Sequence, residues 1–261
     1  MIYKVSVIIP AYNVENYIGE TIQSVGNQTA SPSDFQVVIV DDGSTDNTLE
    51  VIQREIQGME NVRVFSGKNQ GTAFTRNRAI RESSGGLIML LDADDLLEPT
   101  TVESMTRFFR ENPQLAFAYS RHKRIDKTGE FICDRPGYGF SREKLLHFNF
   151  IGHVKVFRKD LFERIRGFKD VYVEDYDFVL RASEVLPDDQ IAQNPIYLYK
   201  YRIHRDNKSV SGIQKSRNAA ARAIQDSLRR KEGINTEVFY IHMTSDKYNY
   251  FDWRENEKAR S

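Results

Sequence analysis

With 261 residues the chain is long enough for one generous domain that buries its own core without disulfides or structural metal. Its 40% hydrophobic and 28% charged content excludes wholesale disorder. Thirty-seven Lys and Arg offset thirty-seven Asp and Glu, so there is no overall basic field, and nucleic acid is not an expected partner.

Residues 5–9, 37–40, 62–65 and 87–91 are short, mostly branched apolar runs. Polar punctuation closes three of them, at Pro10, at Asp41-Asp42-Gly43 and at Asp92-Ala93-Asp94-Asp95, as at the ends of buried strands. Between the runs, Leu49, Ile52 and Ile56 recur at helical spacing behind Ser44 and Asp46 as candidate N-caps. Pro99 stands where a first helical residue belongs, ahead of Val102, Met105 and Phe109. This alternation predicts an α/β fold with a mostly parallel central sheet flanked by helices. Ligands bind beyond the carboxyl ends of such strands, where these aspartates fall.

After about residue 120 the rhythm changes. Residues 121–142 are polar, with a hairpin-type turn at Lys127-Thr128-Gly129-Glu130 and a loop at Pro136-Gly137-Tyr138-Gly139. An apolar run (154–157), a helix-like stretch (176–185) and a strand-like run (196–203) come next. A helix is expected over 212–232, with Ala220, Ile224 and Leu228 along one face. The tail from 233 to 261 mixes aromatics and charges without a period, and no element is assigned to it. No apolar run nears the roughly 18 residues a membrane helix needs. Met1 leads straight into strand-like sequence, and Cys133 is a lone cysteine. A reduced, cytoplasmic location is the expectation.

Carboxylates at the end of a buried strand are costly unless something uses them. Asp92, Asp94 and Asp95 present hard oxygens suited to Mg²⁺ or Mn²⁺, although a solvated turn leading into the next helix would look the same. Glycine-rich phosphate cradles are missing: the first strand runs directly into Pro10-Ala11-Tyr12-Asn13. A nucleotide would instead rely on stacking by Tyr12, acceptance of a base N–H by Asp42 and charge pairing by Arg76. A nucleotidylyltransferase would need a basic glycine-rich loop here.

Four motifs in order carry a resemblance. Residues 5–13, Val40-Asp41-Asp42-Gly43-Ser44-Thr45-Asp46, Asn69-Gln70-Gly71 with Arg76-Asn77, and Leu91-Asp92-Ala93-Asp94-Asp95 resemble those of family 2 glycosyltransferases. The resemblance spans at least residues 4–212 and implies the GT-A fold, a nucleotide-diphospho-sugar donor (usually UDP-linked), a divalent cation and inversion at the anomeric carbon. It divides the domain of residues 1–232 into a nucleotide-sugar half (1–95), a smaller acceptor half (96–212) and a C-terminal helix (213–232). Carried over by position, the donor-binding residues are Pro10, Tyr12, Asp42, Asn69, Arg76, Asp92, Ala93, Asp94 and Asp95. Asp94 is the one that meets the metal, and Asp95 either supports the site or touches the sugar. Val173-Glu174-Asp175-Tyr176-Asp177 is similar to the family's Glu-Asp motif, which makes Asp175 the general base and sets Glu174 beside the acceptor; Asp177 is read as structural. Tyr201-Arg202-Ile203-His204-Arg205 resembles a late Tyr-Arg-x-His segment that makes His204 a further metal ligand. His153 is placed at the acceptor, whereas His122, His147 and His242 receive no role.

A narrower likeness from about Tyr119 to Ile234 points to the glucuronosyltransferase half of two-domain bacterial hyaluronan and chondroitin synthases. It runs through Phe140-Ser141-Arg142-Glu143-Lys144-Leu145, Asp175-Tyr176-Asp177 and His204-Arg205-Asp206-Asn207-Lys208-Ser209. It implies UDP-glucuronic acid as donor and a glycan or glycolipid acceptor in bacterial polysaccharide synthesis. The second glycosyltransferase domain of those enzymes has no counterpart here, which implies either a partner enzyme or a different polymer, and the absent Gln-x-x-Arg-Trp motif favours single-sugar addition. Arg121, Lys123 and Arg124 are candidates for holding a glucuronate carboxylate. Two alternatives stay open: transfer of a UDP-hexose or UDP-HexNAc, and a non-catalytic sugar-nucleotide-binding subunit. Loops 66–71 and 205–212 are expected to move in the absence of donor. Residues 200–231 hold ten Lys or Arg against Asp206 and Asp226, a basic segment that suits a diphosphate and also peripheral contact with the inner face of a membrane.

Overall fold

In a computed structural model of the chain, residues 4–205, 207 and 213–232 are described. The first half builds four parallel strands, β1 (Val5–Ala11), β2 (Phe35–Asp41), β3 (Val62–Ser66) and β4 (Leu87–Leu90), in the order β3-β2-β1-β4. Their side chains alternate between two cores. Ile8, Val38, Val40, Ile88 and Leu90 enter one, while Val7, Val37, Ile39 and Met89 enter the other. Both faces of β1, β2 and β4 are covered, which is why these strands read as continuous apolar runs, while β3 at the edge is only half-buried.

Helices α1 (Ile18–Gly26), α2 (Thr48–Glu55) and α4 (Thr101–Glu111) supply Ile22, Ile52 and Met105 to one face. The opposite face takes Ile80 of α3 (Thr72–Glu82), Phe162 of α6 (Lys159–Arg164), Phe178 of α7 (Glu174–Val185) and Ile224 of α8 (Ile213–Glu232). A short α5 (Arg142–Leu145) is capped by the Ser141 hydroxyl, which accepts from the Lys144 N–H.

The same sheet continues into the second half. β8 (Lys155–Arg158) runs antiparallel to β4, and β6 (Phe117–Ile125) antiparallel to β8. β9 (Ile191–Arg202) lies parallel to β6, and β5 (Leu96–Leu97) antiparallel to β9. β7 (Phe131–Arg135) folds back on the far end of β6 through the expected turn at residues 126–130. The sheet is mostly parallel as expected, with β5, β7 and β8 opposed.

Some boundaries differ from expectation. α4 begins at Thr101 rather than at Pro99, because the Thr101 N–H and hydroxyl both donate to the Glu98 carbonyl and close a turn first. Neither candidate cap of α2 holds the N-cap position, which is Asn47; Asp46, one residue earlier, accepts from the Thr48 N–H at 3.0 Å, and Ser44 accepts from the Asn13 N–H. β9 starts at Ile191, earlier than the sequence suggests; Gln193 and Asn194 already pair with Tyr119 and Ser120 of β6, and Pro195 and Ile196 fall in the register shift that follows. Among the described residues no helix is long and apolar enough to cross a membrane. The expected tail and most of the expected closing loop (206, 208–212) lie outside the described residues.

Candidate active site

The carboxyl ends of β1, β2 and β4 converge on one crevice. At the end of β2, Asp42 accepts the backbone N–H groups of Gln70 and Gly71 at 2.9 and 2.8 Å. The carboxylate thus pins loop 66–71 where it enters α3. Gly43 comes next at φ 72°, and a Cβ there would meet the Gly67 carbonyl oxygen at 2.7 Å. Only glycine fits so close a backbone approach. Pro10 lies near the end of β1, and Tyr12, just past it, keeps 46% of its surface exposed. Asn69 is exposed on the pinned loop. Asp42, Pro10, Tyr12 and Asn69 thus lie at the carboxyl ends of β1 and β2 or on the loop pinned there.

That cluster is wired through arginine. Arg76, buried on α3, donates Nη2 to Asp92 Oδ1 at 2.5 Å and Nη1 to Glu174 Oε1 at 2.6 Å. Burial alone would lower its basicity, but Asp92, Glu174 and Asp175 outweigh that and hold it above its ordinary value. Asp95 is fully buried, and both its oxygens are taken: Tyr199 Oη donates to one at 2.7 Å and the Arg202 N–H to the other at 2.7 Å. Burial, then Asp94 and Asp92, push its pKa well up. Of the two roles expected for Asp95, this placement fits support. Ala93 is buried, and its carbonyl accepts the Thr21 hydroxyl at 2.9 Å.

Asp94 and His204 meet as expected, with Oδ2 and Nε2 2.8 Å apart and Asn207 Nδ2 3.3 Å from the same oxygen. Neighbouring ligands of one octahedral ion lie about 3 Å apart. A carboxylate and an imidazole at this spacing therefore fit Mn²⁺ or Mg²⁺. A second grouping, Asp92, Asp95 and His153, brings ligand atoms within 4.8 Å of one another. It is the poorer fit, because the oxygens of Asp95 are already committed.

Across the crevice, α7 presents its N-terminal acids. Asp175 stays 30% exposed at its side chain, while Glu174 is buried against Arg76. Asp175 Oδ1 accepts the Tyr176 N–H at 2.8 Å, and Oδ2 lies 3.3 Å from Lys155 Nζ. Burial opposes its charge, but Lys155 and Arg76 prevail and hold the carboxyl below the usual range, so it is ionised at neutral pH. Asp177 pairs with Arg181 at 2.6 Å, the structural part expected of it. His153 stacks on Tyr199 and Tyr201 at 4.8 and 5.5 Å. Burial first, then Lys155, His122 and Arg76, push its pKa well down and leave it a neutral hydrogen-bonding group.

The family profile described as "Glycosyl transferase family 2" matches residues 6–166. The chain belongs to glycosyl transferase family 2. This glycosyltransferase is 36% identical over 231 residues to the chondroitin synthase of Escherichia coli, covering 87% of this chain and 33% of that protein. It is 37% identical over 234 residues to the hyaluronan synthase of Pasteurella multocida, covering 87% of this chain and 23% of the relative. The chain thus spans a third or less of the length of these relatives. Among solved structures, S. aureus TarS 1–349 in complex with UDP-GlcNAc aligns with TM-score 0.70 at 21% identity, over 88% of this chain and 67% of that one. A mannosyltransferase from Pyrobaculum calidifontis in complex with GDP-Man and Mn²⁺ aligns with TM-score 0.63 at 19% identity, over 88% and 65%. The architecture is the GT-A fold.

Several site residues of this glycosyltransferase carry no motif signal of their own. Lys155 is one, although a lysine inside the apolar run 154–157 is itself a hint of a buried charge partner. Arg202, inside a motif but given no task there, is fully buried. Its Nε donates to the Asp94 carbonyl at 2.9 Å and its Nη2 to Glu20 at 2.6 Å. Asn77 pairs its amide with both backbone groups of Phe168 at 2.8 Å and so fixes the approach to α7. The expected carboxylate-binding trio splits: Lys123 binds Glu98 at 2.9 Å and Arg121 lies over the Tyr197 ring, which leaves Arg124.

Proposed function

We propose that this glycosyltransferase moves glucuronic acid from UDP-glucuronic acid to a hydroxyl of a glycan or glycolipid acceptor, with inversion, as a step in bacterial polysaccharide synthesis. The observation that carries the reading is the pairing of a partly exposed, ionised Asp175 with the acidic cup of Asp92 and Asp94 across one crevice. Tyr12, Pro10, Asp42 and Asn69 would take the uridine. Arg76 holds Asp92 and Glu174 apart from each other and from free rotation, so the donor sugar and acceptor meet fixed groups.

In the reaction, the acceptor O–H gives its proton to Asp175 while its oxygen attacks the anomeric carbon. The bond from that carbon to the diphosphate oxygen breaks on the opposite side, and UDP departs with the electron pair. Asp94 and His204 would hold Mn²⁺ or Mg²⁺, whose charge neutralises the departing diphosphate. Neutral His153 would orient the acceptor. The relatives named as chondroitin and hyaluronan synthases support a polysaccharide product, and the UDP-GlcNAc complex of a fold neighbour supports a UDP-linked donor. The same geometry would serve a UDP-hexose or UDP-HexNAc, so the donor sugar is the part to test first. A partner enzyme for the alternating sugar belongs to the same reading.

Asp175→Asn provides the test. Turnover, measured as UDP release on a glycan acceptor, should fall by about 10²- to 10⁴-fold with UDP-sugar affinity unchanged. Undiminished release would remove Asp175 as the base. Tight UDP–Mn²⁺ binding by the unaltered chain, with no release from any UDP-sugar, would turn the reading to a binding subunit.

A further inference from the structure

The face of the sheet that holds His153 continues outward into two arginines and a histidine that the proposed reaction does not use. In the register of β6, His122 lies opposite Tyr199 of β9 and Arg135 of β7, and Arg124 opposite Tyr201 of β9. Directly opposed residues share a face of a sheet. His122 meets the His153 ring edge-on at 5.7 Å and the Tyr201 ring at 6.2 Å, so the face is continuous with the crevice. Tyr199, at its inner end, hydrogen-bonds Asp95. Arg124 stands two residues beyond His122, about 6–7 Å farther along the strand. That is about the reach of one sugar unit.

Polar atoms in this cluster go unused. His122 Nδ1, Arg124 Nε and Arg135 Nε are buried atoms with no hydrogen bond. Asp134, their acidic neighbour in sequence, pairs in register with Lys123 and so lies on the other face. Among the described residues no carboxylate forms an ion pair with Arg124 or Arg135. Two half-buried guanidinium groups side by side repel each other, and donors left unsatisfied are costly. Such an arrangement is stable in use when an anion sits between the forks, and planar carboxylates fit them best. The flat rings of His153 and Tyr201 lead to the spot and offer an apolar wall to the C–H face of a pyranose.

We propose that Arg124 and Arg135, with His122, form a subsite for the carboxylate of a uronic acid lying beside the reacting sugars. This rests on the UDP-sugar transferase reading and names a specificity feature of the same site. The carboxylate has two sources: carbon 6 of the donor sugar, or a uronate within the acceptor.

The full chain with Mn²⁺ and the variants Arg124→Gln and Arg135→Gln separate them. Calorimetry would compare UDP-glucuronic acid with UDP-glucose, and a uronate-containing glycosaminoglycan tetrasaccharide with its carboxyl-reduced form. If the donor supplies the carboxylate, the unaltered protein prefers UDP-glucuronic acid by about tenfold or more, and each Gln variant erases that preference. If the acceptor supplies it, the preference and its loss appear between the two tetrasaccharides instead. In either case affinity for UDP itself stays unchanged, and Arg124→Lys recovers part of the preference, which separates a binding role from a misfolded variant. Preferences that survive both Gln variants, or that are absent from the unaltered protein, overturn the subsite. Weakened binding of UDP itself assigns the arginines to the diphosphate and also overturns it. If no UDP-sugar binds at all, the transferase reading falls first, and the subsite with it.

Discussion

Lys155 governs how Asp175 behaves with pH. Its ammonium lies 3.3 Å from the carboxylate and, with Arg76, holds it ionised against the opposing effect of burial. The acid limb of kcat/KM should therefore lie below the ordinary carboxylate range. Lys155→Met, close in volume and apolar, removes the nearer cation, so the limb should shift to higher pH; an unmoved limb would mean that Lys155 does not set the base. The effect on stability has a definite sign. A carboxylate with a lowered folded-state pKa stabilises the fold above its unfolded value and loses that contribution as pH falls through the folded one. Acid unfolding of the Met variant should accordingly begin with a smaller contribution from this site. At Gly43, the backbone rather than the side chain decides. Gly43→Ala forces a Cβ against the Gly67 carbonyl at φ 72°, so the pinned loop must shift. We expect a raised KM for the donor with kcat largely kept, measurable in initial-rate kinetics.

At the scale of elements, α8 is fastened to α7 by one carboxylate. Glu184 accepts from the Ser227 hydroxyl at 2.6 Å and from two nitrogens of Arg230 at 2.7 and 2.8 Å. Glu184→Ala should cost about 1 kcal/mol. For a chain of this size that lowers Tm by roughly 2–4 °C, readable by thermal melting. Of the opening strands, β1, β2 and β4 were legible because burial on both faces leaves continuous apolar runs, and the aspartates after β2 and β4 fall where such sheets bind ligands. β9 was only half legible: Asn194 and Pro195 break its pattern, and long-range pairing with β6 overrides the local signal. The short α6 carries too few turns for a period to show. In the site, motif residues such as Asp94 and His204 could be placed beforehand by resemblance, and they do meet. Which groups hold them could not. Tyr199, Arg202 and Lys155 act through strand parity and burial, properties of the assembled sheet rather than of any short stretch.

Among the described residues, the boundary drawn between residues 95 and 96 falls inside one continuous nine-stranded sheet, since β8 joins β4 and β5 joins β9. The two halves should therefore melt in a single transition by calorimetry; two resolved transitions would show separable units. Binding of UDP with Mn²⁺ at about 100 times its Kd should add about 2.7 kcal/mol. That raises Tm by roughly 5–10 °C, and the rise should shrink in Asp94→Asn. Charge is distributed unevenly despite its zero sum. α8 exposes Lys215, Arg217, Arg222 and Arg229, which supports contact with anionic lipid. Co-sedimentation with phosphatidylserine vesicles that persists at low salt and vanishes at high salt would bear that out.

The buried guanidinium of Arg202 also touches the Lys127 carbonyl and lies over the Tyr17 ring, so one side chain reaches α1, the Asp94 turn and the β6–β7 hairpin at once. Its own N–H anchors Asp95. The acidic residues are laid down early in the chain, but the clamp that aims them arrives more than a hundred residues later. A ribosome that has reached Leu198 has made every carboxylate of the cup and none of this clamp. If the cup holds the donor as proposed, binding is tied to near-completion of the sheet, and a polypeptide cut short before Arg202 should bind neither sugar nucleotide nor metal.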